Sequence, residues 1–88
     1  MSMSVYELKR KYQEKNPEGH FFDKETLKYW GDRLSDFTVL AKPVKVRDYR
    51  GNLCACYVLR RKHPKGNTWQ EAYFDTVTLR QIHGEVAV

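Results

Sequence analysis

The spacing of apolar residues changes near Thr38, and this change constrains the fold more than any other feature of the sequence. Before Thr38, apolar side chains recur at the period of an amphipathic helix. After Thr38 they alternate with polar residues or fill a short continuous run, as they do in β-strands. The chain has 88 residues, a length typical of one domain. We therefore expect a single α+β domain over residues 1–88, with its helices before its sheet.

Two helices are predicted in the first half of the chain. A capping box formed by Ser4 and Glu7 predicts a helix over about residues 4–15. Asp23 is a typical helix-capping residue, and the spacing of apolar residues after it predicts a second helix over about residues 24–36.

The second half predicts a three-stranded antiparallel β-meander. Its strands are expected at about residues 39–49, 53–61 and 68–74. Asp75 follows a phenylalanine, as Asp23 does, and is expected to cap a short C-terminal helix at about residues 76–83. The predicted fold is thus two N-terminal helices packed on a three-stranded meander, followed by a short helix.

One face of this sheet is expected to be basic and aromatic. A two-residue loop at Gly51 and Asn52 would place Val46 opposite Tyr57, and the third strand would place Tyr57 opposite Ala72. The helices are expected to cover the apolar face that results, and a one-residue slip would exchange the two faces. The candidate binding residues on the other face and at its rim are Lys45, Arg47, Tyr49, Arg60, Arg61, Lys62, Lys65, Trp69 and Tyr73.

Three interpretations of this face are open. Aromatic rings stack on bases and cations bind phosphates, so the face is suited to single-stranded nucleic acid. Tyrosine, tryptophan and arginine also dominate protein–protein hot spots, so a protein partner fits equally well, and a homodimer is one such case. The third interpretation is ordinary packing of arginine side chains over the rings. Sixteen basic and eleven acidic residues give a net charge of +5, which favours an anionic partner.

No catalytic or metal site is predicted. The histidines lie in separate segments, and no nucleophile or phosphate-loop motif is present. Cys54 and Cys56 lack the C-x2-C spacing and the further ligands of a zinc site, and they are poorly placed for a disulfide with each other. We expect no enzyme activity and no cofactor. Without a disulfide framework, a signal peptide or a long apolar run, we expect a cytoplasmic protein with no membrane partner.

The segment from His20 to Arg33 resembles a family of small bacteriophage and prophage proteins of unknown function. Their shared motif is aromatic-Phe-(Asp or Ser)-x-(Glu or Asp)-Thr-(Leu or Met)-(Arg or Lys)-aromatic-aromatic-Gly, which matches residues 21–31 here. A later aromatic-Phe-Asp, residues 73–75, is also similar. The resemblance implies a phage accessory protein that acts in the bacterial cytoplasm. It supplies no catalytic residues, and it makes a host protein, such as a component of defence or nucleic-acid processing, a reasonable partner.

Overall fold

Helices cover one face of an antiparallel sheet in the computed structural model, which describes residues 3–30, 33–63 and 65–87. The helical segments are α1 (Val5–Lys15), α2 (Lys24–Trp30) and a 3-10 helix (Leu34–Asp36). The strands are β1 (Thr38–Val39), β2 (Val44–Asp48), β3 (Leu53–Lys62), β4 (Trp69–Asp75), β5 (Gln81–Ile82) and β6 (Gly84–Val86).

Local capping residues start both α-helices. The Ser4 hydroxyl accepts a hydrogen bond from the Glu7 amide at 3.1 Å, and the Asp23 carboxylate accepts one from the Thr26 amide at 2.8 Å. Each bond satisfies an amide that the first helical turn leaves without a partner. The helix predicted at 24–36 is divided into α2 and the 3-10 helix, and residues 31–32 lie outside the described residues. With seven residues in α2, α1 is the one helix of ordinary length in the described chain.

The predicted three-stranded meander is wrong, because the described residues form a six-stranded sheet in the order β5-β4-β3-β2-β6, with β1 also beside β3. All pairings are antiparallel. β1 and β2 lie on the same edge of β3 and are separated by an interruption at residues 40–43. Pro43 has no amide hydrogen for a strand ladder, which suits it to such an interruption.

The predicted C-terminal helix at 76–83 is also wrong. The Asp75 carboxylate accepts hydrogen bonds from the amides of Val77 and Thr78, as a helix cap would. The turn stops at Leu79, which has a φ of 63°, a left-handed conformation that ends helices. The Asp75 amide then donates to the Arg80 carbonyl at 2.9 Å, and the chain continues as β5 beside β4. Leu79 is buried in the core, and that burial offsets its backbone strain.

The C-terminal segment brings the two edges of the sheet together. β5 pairs with β4, β6 pairs with β2, and only His83 separates β5 from β6. Gly84 makes this approach possible, because a Cβ atom there would lie 2.8 Å from both the carbonyl carbon of Arg47 and the Cα of Asp48. The sheet therefore curls on itself, and both of its faces bury apolar side chains.

The main core lies between the helices and one face of the sheet, which we call the helix face. Phe21 stacks on Phe74 with ring centroids 4.5 Å apart, and Phe22 lies 5.4 Å from Phe37. The sheet contributes Val39, Leu59 and Ala72 to the same cluster. The opposite face buries a smaller set inside the curled sheet, namely Val46, Cys56 and Val58.

The β2–β3 loop differs from the predicted two-residue loop. The Asp48 amide donates to the Asn52 carbonyl at 2.9 Å, and the Asp48 carboxylate accepts from the amides of Arg50 and Asn52 at 2.9 and 2.8 Å. Gly51 has a φ of 85°, so the loop is of the three-residue type that ends in a left-handed glycine. Its length sets the register between β2 and β3.

The predicted register is wrong for both pairs of strands, with different consequences. Val46 pairs with Cys54 instead of the predicted Tyr57. These partners are an odd number of residues apart on β3, so the two faces of β2 are exchanged relative to the prediction. Tyr57 faces Phe74 instead of Ala72, an even shift, so the faces of β3 and β4 stay as predicted.

Candidate functional site

The predicted binding residues do not form one surface. Four of them, Arg60, Lys62, Trp69 and Tyr73, share the face of β3 and β4 opposite the helices. Lys45 and Arg47 instead lie on the same side of the sheet as the helix face, because the register of β2 is shifted by an odd number of residues. Arg61 points into the helix face, Tyr49 lies in the β2–β3 loop, and Lys65 lies in the turn between β3 and β4.

Arg60, Trp69 and Glu71 form an ordered group on β3 and β4, which we call the β3–β4 cluster. Nε and Nη2 of Arg60 donate to the same Glu71 oxygen at 2.9 and 2.8 Å. The guanidinium carbon also lies 5.3 Å from the centre of the Trp69 ring, within the range of a cation–π contact. Burial raises the pKa of the neighbouring Tyr73, as does the Glu71 carboxylate, so Tyr73 stays a neutral phenol at physiological pH. The cluster presents an oriented indole ring beside a cation whose charge is already paired.

Arg61 has a structural environment. It is buried, its Nε donates to the Gln70 side chain at 2.7 Å, and its guanidinium lies 5.4 Å from the Phe37 ring. An Asp36 oxygen lies 4.0 Å from its Nη1. These contacts join the 3-10 helix to β3 and β4, so Arg61 is not available to a partner.

A second surface is basic and lies on β2. Lys45 and Arg47 are exposed, and Arg50 follows in the adjoining loop. In the sheet, Arg47 pairs with Leu53 of β3 on one side and with Glu85 of β6 on the other. Tyr49 is 85 % exposed at the loop tip. Lys45 and Arg47 lie on the opposite face of the sheet from the β3–β4 cluster, whereas Tyr49 approaches Glu71 and Tyr73 in the cleft described next.

A cleft with a volume of about 250 Å³ opens beside β4. It lies where the C-terminal segment stops pairing with β4, as β5, and begins to pair with β2, as β6. Side chains from α2, the β2–β3 loop, β4 and the C-terminal strands line it, among them Glu25, Tyr49, Glu71, Tyr73 and His83. Its described lining residues include no lysine or arginine. The cleft is therefore lined by carboxylates and aromatic rings, and of its two glutamates Glu71 is already paired with Arg60.

A hydrogen-bond network supports one wall of this cleft. His83 Nε2 contacts a carboxylate oxygen of Asp23, whose other oxygen caps α2 through Thr26. The Gln81 side chain donates to the Thr26 hydroxyl at 2.9 Å and accepts from the Asp23 amide at 3.2 Å. Burial alone raises the pKa of Asp23, but the hydrogen bonds from Thr26 and His83 outweigh it and leave that pKa below its usual value. The network fixes α2 against the C-terminal strands.

Sequence reasoning missed the cleft because its residues are far apart in the chain. The sequence places Glu25 only in the second predicted helix and His83 only at the end of the last predicted helix. The one available signal was the repeated Phe-Asp pair, since both of its aspartates do cap a turn. That signal says nothing about which segments meet.

The environments of both thiols disfavour the thiolate form. Burial raises the pKa of Cys56 to about 12, with smaller effects from Asp75 and Cys54. Burial and the nearby Asp75 and Asp48 carboxylates also raise the pKa of Cys54. Neither thiol is favoured as a thiolate at neutral pH. Among the described residues, no group of three or more His, Cys, Asp and Glu side chains is placed to hold a metal ion.

No helix in the described part of the chain is long and apolar enough to cross a membrane. Comparison of the sequence and the fold with known protein families, with curated proteins and with solved structures finds no match.

Proposed function

We propose that this protein is a non-catalytic binding domain whose partner is another protein. The observation that carries the proposal is the β3–β4 cluster, in which Trp69 is 58 % exposed yet held by Arg60, which Glu71 holds in turn. Tryptophan and arginine are the residue types most enriched in protein–protein hot spots. A ring that is already oriented loses less side-chain entropy when it binds.

Single-stranded nucleic acid is the second candidate, and the basic surface of β2 is the observation that favours it. Lys45, Arg47 and Arg50 are suited to phosphate contacts, and the exposed Tyr49 is suited to stacking on a base. The protein partner is favoured over it because the expected platform is divided between two faces. Arg60 is paired with Glu71 and Arg61 is buried, so the aromatic face keeps few free cations.

The resemblance to small phage proteins supplies a setting for this proposal. The protein would act in the cytoplasm of a bacterial host, without a cofactor, by binding a host protein. Inhibition of a defence or nucleic-acid-processing system is the consequence that this setting implies. A homodimer that forms through the Trp69 surface is a further case of the same protein-binding function.

The test is capture of a partner from bacterial lysate, followed by measurement of its affinity with purified components. Trp69→Ala should weaken that affinity about 30-fold, the effect of a hot-spot residue worth about 2 kcal/mol. Tyr6→Ala is the matched control, because Tyr6 is also 58 % exposed but lies on α1. The control should keep its affinity within a factor of about two. Circular dichroism of both variants checks that the fold is intact.

A labelled single strand measured at low and high salt tests the alternative. Tight binding whose affinity falls steeply as salt is added would overturn the protein proposal. Such a salt dependence arises because protein cations that contact phosphates release counterions from the nucleic acid. Loss of that binding in Lys45→Gln or Arg47→Gln would place the nucleic acid on β2. Sedimentation of the purified protein beforehand identifies a homodimer.

A further inference from the structure

We propose that the edge of β4 that is left open in the described chain, together with the cleft beside it, binds an extended, basic segment of the partner protein as an added β-strand. This inference rests on the proposed function, because it names the region of the partner that this domain recognises.

The first observation is an unpaired strand edge. β5 pairs with β4 only at Tyr73 and Phe74, and after His83 the chain leaves to pair with β2. Within the described chain, residues 69–72 of β4 pair with β3 on one edge and with no strand on the other. Such an edge presents unpaired amide and carbonyl groups, which form a template for one more strand.

The second observation is the charge next to this edge. Glu25 and Glu71 line the cleft, and the described lining includes no lysine or arginine, although the chain has 16 of these residues. Glu71 is already paired with Arg60, so Glu25 supplies the charge that attracts a cation and repels a phosphate here. Tyr49 and Tyr73 line the same cleft and add aromatic rings, whose faces attract guanidinium and ammonium groups.

The third observation is the size of the cleft. Its volume of about 250 Å³ is below the ~300–1,000 Å³ of pockets that enclose drug-sized ligands. This space suits one long side chain better than a complete small molecule. A strand added along residues 69–72 would run past the opening of the cleft, so one of its arginine or lysine side chains can enter it.

The same charges argue against the other occupants. A nucleic acid would place phosphates beside Glu25. A second copy paired edge to edge through residues 69–72 would offer the cleft no lysine or arginine from that segment, whose sequence is Trp-Gln-Glu-Ala. An extended basic segment is the occupant whose charge and backbone both fit.

The probe is a fluorescein-labelled peptide, Thr-Arg-Val-Arg-Val-Arg-Thr, whose alternation favours an extended strand. Two control peptides accompany it: one carries glutamate in place of each arginine, and one carries N-methyl groups on alternate amides. The N-methylated peptide keeps the charge but cannot complete a strand ladder. We expect saturable binding of the first peptide alone, with amide chemical-shift changes at residues 70–73 and Gly84.

Matched variants locate the charge effect. Glu25→Gln should weaken binding of the arginine peptide about two- to five-fold, the range for one exposed ion pair. Glu18→Gln removes the same charge from the exposed turn after α1, away from the cleft, and should leave the affinity unchanged.

Several results would overturn the inference. Equal binding of the N-methylated peptide would show charge attraction without strand addition. Shift changes elsewhere, or no binding at millimolar peptide, would exclude this edge as the site. Shifts at residues 70–73 caused by a labelled single strand, or by self-association without peptide, would assign the edge to nucleic acid or to a second copy. If the edge fails but the lysate partner still binds through Trp69, the protein-binding function stands and only this inference is lost.

Discussion

Replacing Gly84 with alanine tests the closure of the sheet directly. Gly84 faces Asp48 where β6 meets β2. An added Cβ would overlap the carbonyl oxygen of Arg47 and would lie 2.8 Å from both the Arg47 carbonyl carbon and the Asp48 Cα. All three atoms belong to the backbone, so rotation of a side chain cannot relieve the contact. The two strands must separate.

The magnitude follows from what this separation breaks. It strains or breaks the hydrogen bonds between β6 and β2, together with the neighbouring bond from the Ala87 amide to the Lys45 carbonyl at 2.8 Å. Two or three such bonds are worth about 0.5–1.5 kcal/mol each. Alanine recovers about 0.4–1 kcal/mol by restricting the unfolded chain. We expect the free energy of unfolding to fall by about 2–3 kcal/mol, a substantial part of the ~5–15 kcal/mol that stabilises a typical domain.

The assay is urea unfolding followed by circular dichroism, with Gly66→Ala as the control. A Cβ at Gly66 would lie 3.9 Å from the nearest atom and would meet no backbone, so this variant should stay within about 0.5 kcal/mol of the parent. Gly84→Ala should unfold about 10–20 °C lower on heating, and its Ala87 amide should exchange faster. If the two variants unfold at the same urea concentration, β6 does not close against β2 as described.

Three further predictions concern charged groups and thiols. Asp23→Asn should lower the free energy of unfolding by up to about 1 kcal/mol at neutral pH. The pKa of Asp23 in the folded protein lies below its usual value of 3.8. The stability difference between Asp23→Asn and the parent should therefore be complete above about pH 4 and should vanish as the pH falls through the folded pKa. Unfolding curves recorded between about pH 7 and pH 2 measure this difference. A double-mutant cycle with Arg60→Met and Glu71→Gln should give a coupling of about 0.3–1 kcal/mol that salt reduces, and no coupling would contradict the paired geometry. Since the pKa of Cys56 is about 12, iodoacetamide should label it far more slowly in the folded protein than in urea, after the partly exposed Cys54; mass spectrometry of the labelled chain measures both rates.

Part of the candidate site could be predicted because it depends on one pair of neighbouring strands. The alternation in β3 and β4 places Arg60, Trp69 and Tyr73 on one face under any even shift in register. The prediction that Lys45 and Arg47 share that face depends on a two-residue β2–β3 loop, whereas the Asp48 carboxylate stabilises a three-residue turn there. A change of one residue in loop length is enough to exchange the faces.

The two aspartates that follow phenylalanines separate what the sequence determined from what the tertiary structure decided. Both Asp23 and Asp75 accept hydrogen bonds from the amides after them, because a carboxylate and the next few residues suffice to start a turn. After Asp23 the chain continues as α2, whereas after Asp75 it makes one turn and becomes β5. The amides of a helix bond within their own segment, but a strand needs a partner elsewhere in the chain. For β5 that partner is the edge of β4. Only the folded molecule brings the edge of β4, strand β2 and the residues of the cleft close together.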